Sequence, residues 1–209
     1  MKLQIALDTL SLEECIILLE QTKGNVDIAE VGTPFIIEEG MRPVRELKKR
    51  FPEIEILADT KIMDAGELEA SSAFKAGADI VTVLGVSNDE TILGAIKAAK
   101  QHGGGKIMID MIAVKNLVER AKEIDAMGVD YICVHTAFDV QKSGKDPLDE
   151  LKMINKVICN AKSAVAGGVK LSTIDEIVEE GAEIIVVGGA ICNAENKSET
   201  AKEMKKHLQ

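Results

Sequence analysis

Aromatic side chains are nearly missing from this sequence: of 209 residues, none is tryptophan, one is tyrosine and four are phenylalanine. So few rings leave little on which nucleic-acid bases could stack. Positive charge is also in short supply. Lys and Arg number 25 against 35 Asp and Glu, a net charge of −10, whereas a nucleic-acid partner calls for a basic face. An anionic substrate would therefore be held by local devices, such as helix N-termini, a lysine or a metal, against the overall field. No apolar run is long enough to cross a bilayer, so neither nucleic acid nor membrane is an expected partner. The segment from Met1 to Asp8 turns acidic too soon for a signal peptide and reads as a strand. The cysteines Cys15, Cys133, Cys159 and Cys192 lie far apart and form no C-x-x-C pair. That argues against a zinc site and suits reduced thiols in a cytoplasmic protein, with Cys133 in the core.

What is present is ordinary globular composition, 46% hydrophobic and 29% charged. Short β-rich runs alternate with longer amphipathic runs along the whole chain. Candidate strands are Leu3–Leu7, Asp27–Val31, Ile54–Ala58, Ile80–Val83, Lys106–Ile109, Tyr131–Val134, Ser163–Ala166 and Ile184–Val187. Candidate helices are Leu12–Gln21, Arg42–Arg50, Leu68–Ala76, Glu90–Gln101, Leu117–Met127, Leu148–Cys159, Ile174–Glu180 and Thr200–His207. The unit recurs about every 25 residues, the mark of repeated βα building blocks. Ser11 with Glu14 three residues on makes a capping box. Gly77, Gly128 and Gly181 follow helical runs as C-caps, and Pro147 suits the first turn of a helix. No linker or composition break interrupts residues 1–209. The expectation is one α/β catalytic domain, a (β/α)8 TIM barrel; a doubly wound open sheet is the alternative.

In such a barrel the site lies at the C-terminal strand ends. Those ends carry Asp8, Glu30, Asp59 with Lys61, Asp110 and His135, and the last two strands end in Gly167-Gly168 and Gly188-Gly189. Each has a bland reading alone. Asp8 or Asp110 could be N-caps, His135 a satisfied core residue, the glycine pairs tight turns, and Asp59-Thr60-Lys61-Ile62-Met63-Asp64 a surface turn with an ion pair. The joint pattern favours chemistry. Glu30 is poorly placed within Ile28-Ala29-Glu30-Val31 unless it faces something polar or a metal. Glu30 and Asp59 on neighbouring strands suit a divalent ion, magnesium or manganese, which would stabilise an enediolate made from a sugar phosphate. Lys61 adds positive charge or moves a proton, and His135 is the candidate base or acid. The glycine pairs occupy the places where barrels commonly bind phosphate. His102 and His207 look like surface residues at helix C-termini.

These residues resemble the orotidine monophosphate decarboxylase superfamily, whose D-x-K-x-x-D signature is matched by Asp59, Lys61 and Asp64. The decarboxylase naming it carries a lysine where this chain has Glu30, in Glu30-Val31-Gly32-Thr33-Pro34. The resemblance is therefore to the magnesium-dependent branch, which includes 3-hexulose-6-phosphate synthases and 3-keto-L-gulonate-6-phosphate decarboxylases. Leu57–Gly66, Val81–Gly85, Ile109–Ile112, Gly128–Thr136 and Val165–Gly168 are more similar to the synthases. The decarboxylases typically have glutamate at Asp110 and an arginine where Phe138 stands. The chain departs from the synthases at Ala137 and Ala190, where glycine is usual. The resemblance implies that Gly167, Gly168, Gly188, Gly189 and Ala190 hold the phosphate of ribulose 5-phosphate. It further implies magnesium on Glu30 and Asp59, proton removal by His135 and attack on formaldehyde, with Lys61 supporting the charge. It also implies a homodimer in which Asp64 reaches the partner's site. The decarboxylase activity and, in a different class, a non-catalytic phosphosugar-binding protein are the competing readings.

Overall fold

The computed structural model describes residues 1–141 and 147–209. Eight parallel strands close on themselves in chain order. They are β1 Lys2–Leu7, β2 Ile28–Val31, β3 Glu55–Ile62, β4 Ile80–Leu84, β5 Lys106–Asp110, β6 Tyr131–His135, β7 Lys162–Ala166 and β8 Ile184–Val187. The described helices are α1 Leu12–Thr22, α2 Thr33–Glu39, α3 Arg42–Arg50, α4 Gly66–Lys75, α5 Asp89–Gln101, α6 Leu117–Ala126, α7 Phe138–Gln141, α8 Leu148–Asn155, α9 Ile174–Glu179, α10 Gly189–Cys192 and α11 Lys197–His207. The expected (β/α)8 barrel is thus the fold, and the open sheet is excluded because β1 pairs with both β2 and β8. No helix among the described residues is long and apolar enough to cross a membrane.

Two apolar layers come from the alternation of each strand. Side chains such as Leu3, Ile5, Ala29, Val31, Val81, Val83, Ile132 and Val134 face the helices. Their neighbours Ala6, Ile28, Leu57, Ile80, Met108, Tyr131, Cys133, Ala164, Ala166, Ile184 and Val186 fill the barrel interior. Successive residues of a strand point to opposite faces, so the inward set continues up each strand to its C-terminal end. That parity delivers Glu30, Asp59, Thr82, Asp110 and His135 to the mouth.

The opposite end is stapled by three carboxylates, each just before an even-numbered strand. Asp27 accepts the amide of Leu3, Asp79 that of Ile56 and Asp130 that of Ile107, at 2.7, 2.7 and 2.9 Å. The expected punctuation is in place. Ser11 and Glu14 form the capping box, and Gly77, Gly128 and Gly181 adopt positive φ after their helices. Cys133 is buried as expected, and all four thiols are free.

Three local expectations are corrected. Strand β3 does not stop at Ala58 but runs to Ile62, because the ladder with β4 slips between those residues and Lys61 takes φ +45°. Helices α2, α7 and α10 add to the eight expected, and α8 ends at Asn155 rather than Cys159. Pro147 is the N-cap of α8 rather than a residue of its first turn.

Candidate active site

Asp59 and Lys61 are the centre of the mouth. Within β3 they point the same way, and Lys61 Nζ lies 2.6 Å from Asp59 Oδ2. The same ammonium reaches Asp110 Oδ2 on β5 at 3.1 Å, and that oxygen in turn sits 2.9 Å from His135 Nδ1 on β6. Asp110 Oδ1 accepts the Ile112 amide at 2.9 Å. One continuous chain of contacts therefore joins three strands. An ionised Asp110 can only accept, so Nδ1 is the His135 nitrogen that carries a proton in this contact, and Nε2 is the one left for another partner.

The charge states follow from the neighbours. Burial works against the Lys61 ammonium, but the carboxylates of Asp59 and Asp110 outweigh it and raise its pKa above the ordinary lysine value. Lys61 is a fixed positive charge. Burial likewise works against the Asp110 carboxylate. The His135 hydrogen bond and charge, together with Lys61 and the Ile112 amide, win and hold it below its usual range. The other side of the mouth is different. Glu30 on β2 is 9% exposed, and its Oε2 accepts Gln4 Nε2 at 2.6 Å. Burial first, then the nearby charges of Asp59 and Asp8, push its pKa well up. Asp8, one residue beyond β1, is raised mainly by desolvation and then by Asp59, with Lys61 and His135 opposing.

Four acids, Asp8, Glu30, Asp59 and Asp110, share one lysine here, which calls for further positive charge. Among the described residues no three His, Cys, Asp or Glu side chains are grouped as a metal site. A magnesium ion needs only one or two carboxylates, with water and substrate oxygens completing its shell. The all-oxygen pair of Glu30 and Asp59 fits that demand, and Glu30 Oε1 accepts no hydrogen bond from the described residues.

The other expected residues divide. Gly167 takes φ +95°, and a Cβ there would stand 2.2 Å from the Thr136 carbonyl oxygen, so only glycine fits. Gly168 takes φ +77°. Gly188 and Gly189 open the four-residue α10 after β8, the strand beside β7. Ala190 packs partly against the core. Asp64 is not brought to the cluster. It is exposed and its Oδ1 accepts the amide of Ala65 at 2.7 Å. A groove of about 550 Å³ between the loops after β4 and β5, lined by Ser87, Lys115 and Arg120 among others, shares no residue with this cluster.

Four residues were missed by the sequence reading. Thr82 on β4 donates to Asp59 Oδ1 at 2.7 Å. The Thr33 hydroxyl lies 2.9 Å from Asp59 Oδ2. Gln4 supports Glu30 from below. Gly32 leaves room for Asp8, because a Cβ there would meet Asp8 Oδ1 at 1.9 Å. Inward parity on β1 and β4 was the available signal for Gln4 and Thr82.

The model of one family, described as "Orotidine 5'-phosphate decarboxylase / HUMPS family", matches residues 1–204. The chain belongs to that family. Among its members, the 3-hexulose-6-phosphate synthase of Bacillus subtilis is 50% identical over 98% of this chain and 97% of its own length. The crystal structure of 3-hexulose-6-phosphate synthase from Salmonella typhimurium superposes with a TM-score of 0.97 at 41% identity, covering 100% of this chain and 98% of that one. A 3-keto-L-gulonate-6-phosphate decarboxylase from Vibrio cholerae is more distant within the family, at 27% identity and a TM-score of 0.85, over 99% and 96% of the two chains.

Proposed function

We propose that this chain condenses ribulose 5-phosphate with formaldehyde, giving D-arabino-hex-3-ulose 6-phosphate, and catalyses the reverse cleavage. The observation that carries this reading is the Asp110 carboxylate, which takes both Lys61 and His135 on one oxygen. It orients the His135 imidazole and anchors the Lys61 ammonium beside it. The likeness in sequence to proteins named 3-hexulose-6-phosphate synthase supports the choice of reaction.

His135 Nε2 takes the proton from C1 of the sugar, and the electron pair left on C1 delocalises to the C2 oxygen as an enediolate. The Lys61 ammonium, held in place by Asp59 and Asp110, faces that developing charge. C1 then forms its bond to the formaldehyde carbon, and the formaldehyde oxygen takes up a proton. Magnesium or manganese held by Glu30 and Asp59 would supply a Lewis acid for the carbonyl and adjoining hydroxyl. Gly167, Gly168, Gly188, Gly189 and the Ala190 amide are assigned to the phosphate, since glycine lets backbone N–H groups approach an anion closely. Asp8 borders the same mouth and is assigned to the sugar hydroxyls. Asp64, exposed and away from its own cluster, is assigned to the site of a second copy in a homodimer.

Decarboxylation of 3-keto-L-gulonate 6-phosphate is the second reading, because it would use an enediolate at the same groups. Phe138 weighs against it. The side chain opens α7 at 77% exposure and places no cation where the decarboxylases have arginine. The proton-transfer step has its own test: ribulose 5-phosphate incubated in D2O without formaldehyde. Magnesium-dependent deuterium uptake at C1, lost in His135→Gln, is expected. Exchange that survives in His135→Gln would remove His135 from its role.

A further inference from the structure

The D-x-K segment is held in an unusual way. Where β3 carries Asp59 and Lys61, the register to β4 shifts, four residues of β3 advancing opposite two of β4 between the pairs Ala58–Val81 and Ile62–Val83. Lys61 sits at φ +45°, a conformation that costs a non-glycine residue energy and persists only when its surroundings impose it. No regular ladder position pairs Asp59, Thr60 or Lys61 with β4. Thr82 makes the connection instead. Its Oγ1 donates to Asp59 Oδ1 at 2.7 Å and accepts the Lys61 amide at 2.9 Å. Its carbonyl oxygen accepts Thr60 Oγ1 at 2.9 Å. One residue, 3% exposed, thus grips three successive residues of the neighbouring strand. A single hydroxyl can do this because it has one proton to give and lone pairs to receive. With only 5% exposure at Asp59, no bulk water stands by to replace the bond.

We propose that Thr82 is a positioning residue for catalysis: its hydroxyl sets the rotamer of the Asp59 carboxylate and the kink that aims the Lys61 ammonium at the substrate. The proposal rests on the assignment of Asp59 and Lys61 to the reaction. The Thr82 hydroxyl is spent on Asp59 and Lys61, so its loss falls on turnover rather than on binding through the glycine loops.

The test compares Thr82→Val, which keeps the shape and removes the hydroxyl, with Thr82→Ser, which keeps the hydroxyl. In Thr82→Val, kcat for condensation is expected to fall about 10- to 100-fold, as for other residues that orient reacting groups from behind, while KM for ribulose 5-phosphate changes little. Thr82→Ser is expected to recover most of the rate. A second readout does not depend on turnover: hydrogen exchange at the Lys61 amide, which speeds up in Thr82→Val and stays slow in Thr82→Ser. Should Thr82→Val not fold, Thr82→Ala against Thr82→Ser carries the same comparison. A valine variant with the wild-type kcat and a protected Lys61 amide would overturn the proposal, as would a serine variant as damaged as the valine. A wild-type protein that does not condense the two substrates would instead sink the proposed function, and the amide exchange would still decide what Thr82 holds.

Discussion

Replacing Gly32 by alanine separates the site from the fold. Gly32 follows β2 at φ −66°, which alanine adopts without strain, so the backbone raises no objection. The main obstacle is one side chain, since the new Cβ would lie 1.9 Å from Asp8 Oδ1 and 3.0 Å from its Cγ, with the Asp8 Cα a lesser crowding at 3.3 Å. To reach ordinary contact the carboxylate has to retreat by roughly 1.5 Å. Asp8 is exposed and can do so by changing rotamer, at a cost of order 1 kcal/mol or less. A misplacement of that size at a reacting centre lowers turnover by about 100-fold. Gly32→Ala should therefore unfold in urea close to the wild-type midpoint while losing most of its activity. Asp8→Ala should lose a similar amount, and the double variant should be little worse than Asp8→Ala, because the severe clash goes with the carboxylate and only the 3.3 Å approach to the Cα of residue 8 remains. Full activity in Gly32→Ala, or losses that add in the double variant, would refute the argument that Gly32 acts by making room for Asp8.

The remaining expectations are shorter. Glu30→Gln should abolish the magnesium-dependent C1 exchange yet stabilise the metal-free protein. The folded-state pKa of Glu30 is raised, so the penalty it removes is present at neutral pH and vanishes as pH falls below the unfolded carboxyl value. A thermal midpoint that rises at pH 7 but not at pH 3.5 is the predicted result. Asp125→Ala should cost about 2–4 kcal/mol in urea unfolding, because Asp125 accepts the backbone amides of Cys159, Asn160 and Ala161 at 3.0, 3.0 and 2.7 Å. Burial opposes its charge but those amides hold its pKa down, so the difference from wild type should shrink as pH falls through that lowered pKa. If Asp64 completes a second copy's site, mixing inactive Asp64→Ala with inactive Lys61→Ala should restore part of the activity through mixed dimers; no recovery on mixing would remove that assignment.

The barrel was legible because its signal is periodic and repeated. Eight apolar runs separated by amphipathic ones leave few arrangements for parallel βα units. What escaped lay where periodicity has no length to act. Helices α7 and α10 have four residues each, and α2 buries only Phe35, so it shows no apolar stripe. The end of β3 escaped for a different reason. Asp59-Thr60-Lys61 reads as loop by composition, and only tertiary partners on α2, β4 and β5 make it affordable as strand. In the site, the charged residues announced themselves because they are rare at strand ends. Thr82 and Thr33 are ordinary by type, and a hydroxyl reveals its role only through what it touches.

The most direct measurement is condensation itself. Purified protein is given ribulose 5-phosphate and formaldehyde with magnesium or with EDTA, and formaldehyde loss is followed while a parallel sample receives 3-keto-L-gulonate 6-phosphate and is assayed for carbon dioxide. The account predicts magnesium-dependent loss of formaldehyde with little carbon dioxide released. Carbon dioxide release without formaldehyde loss would contradict it.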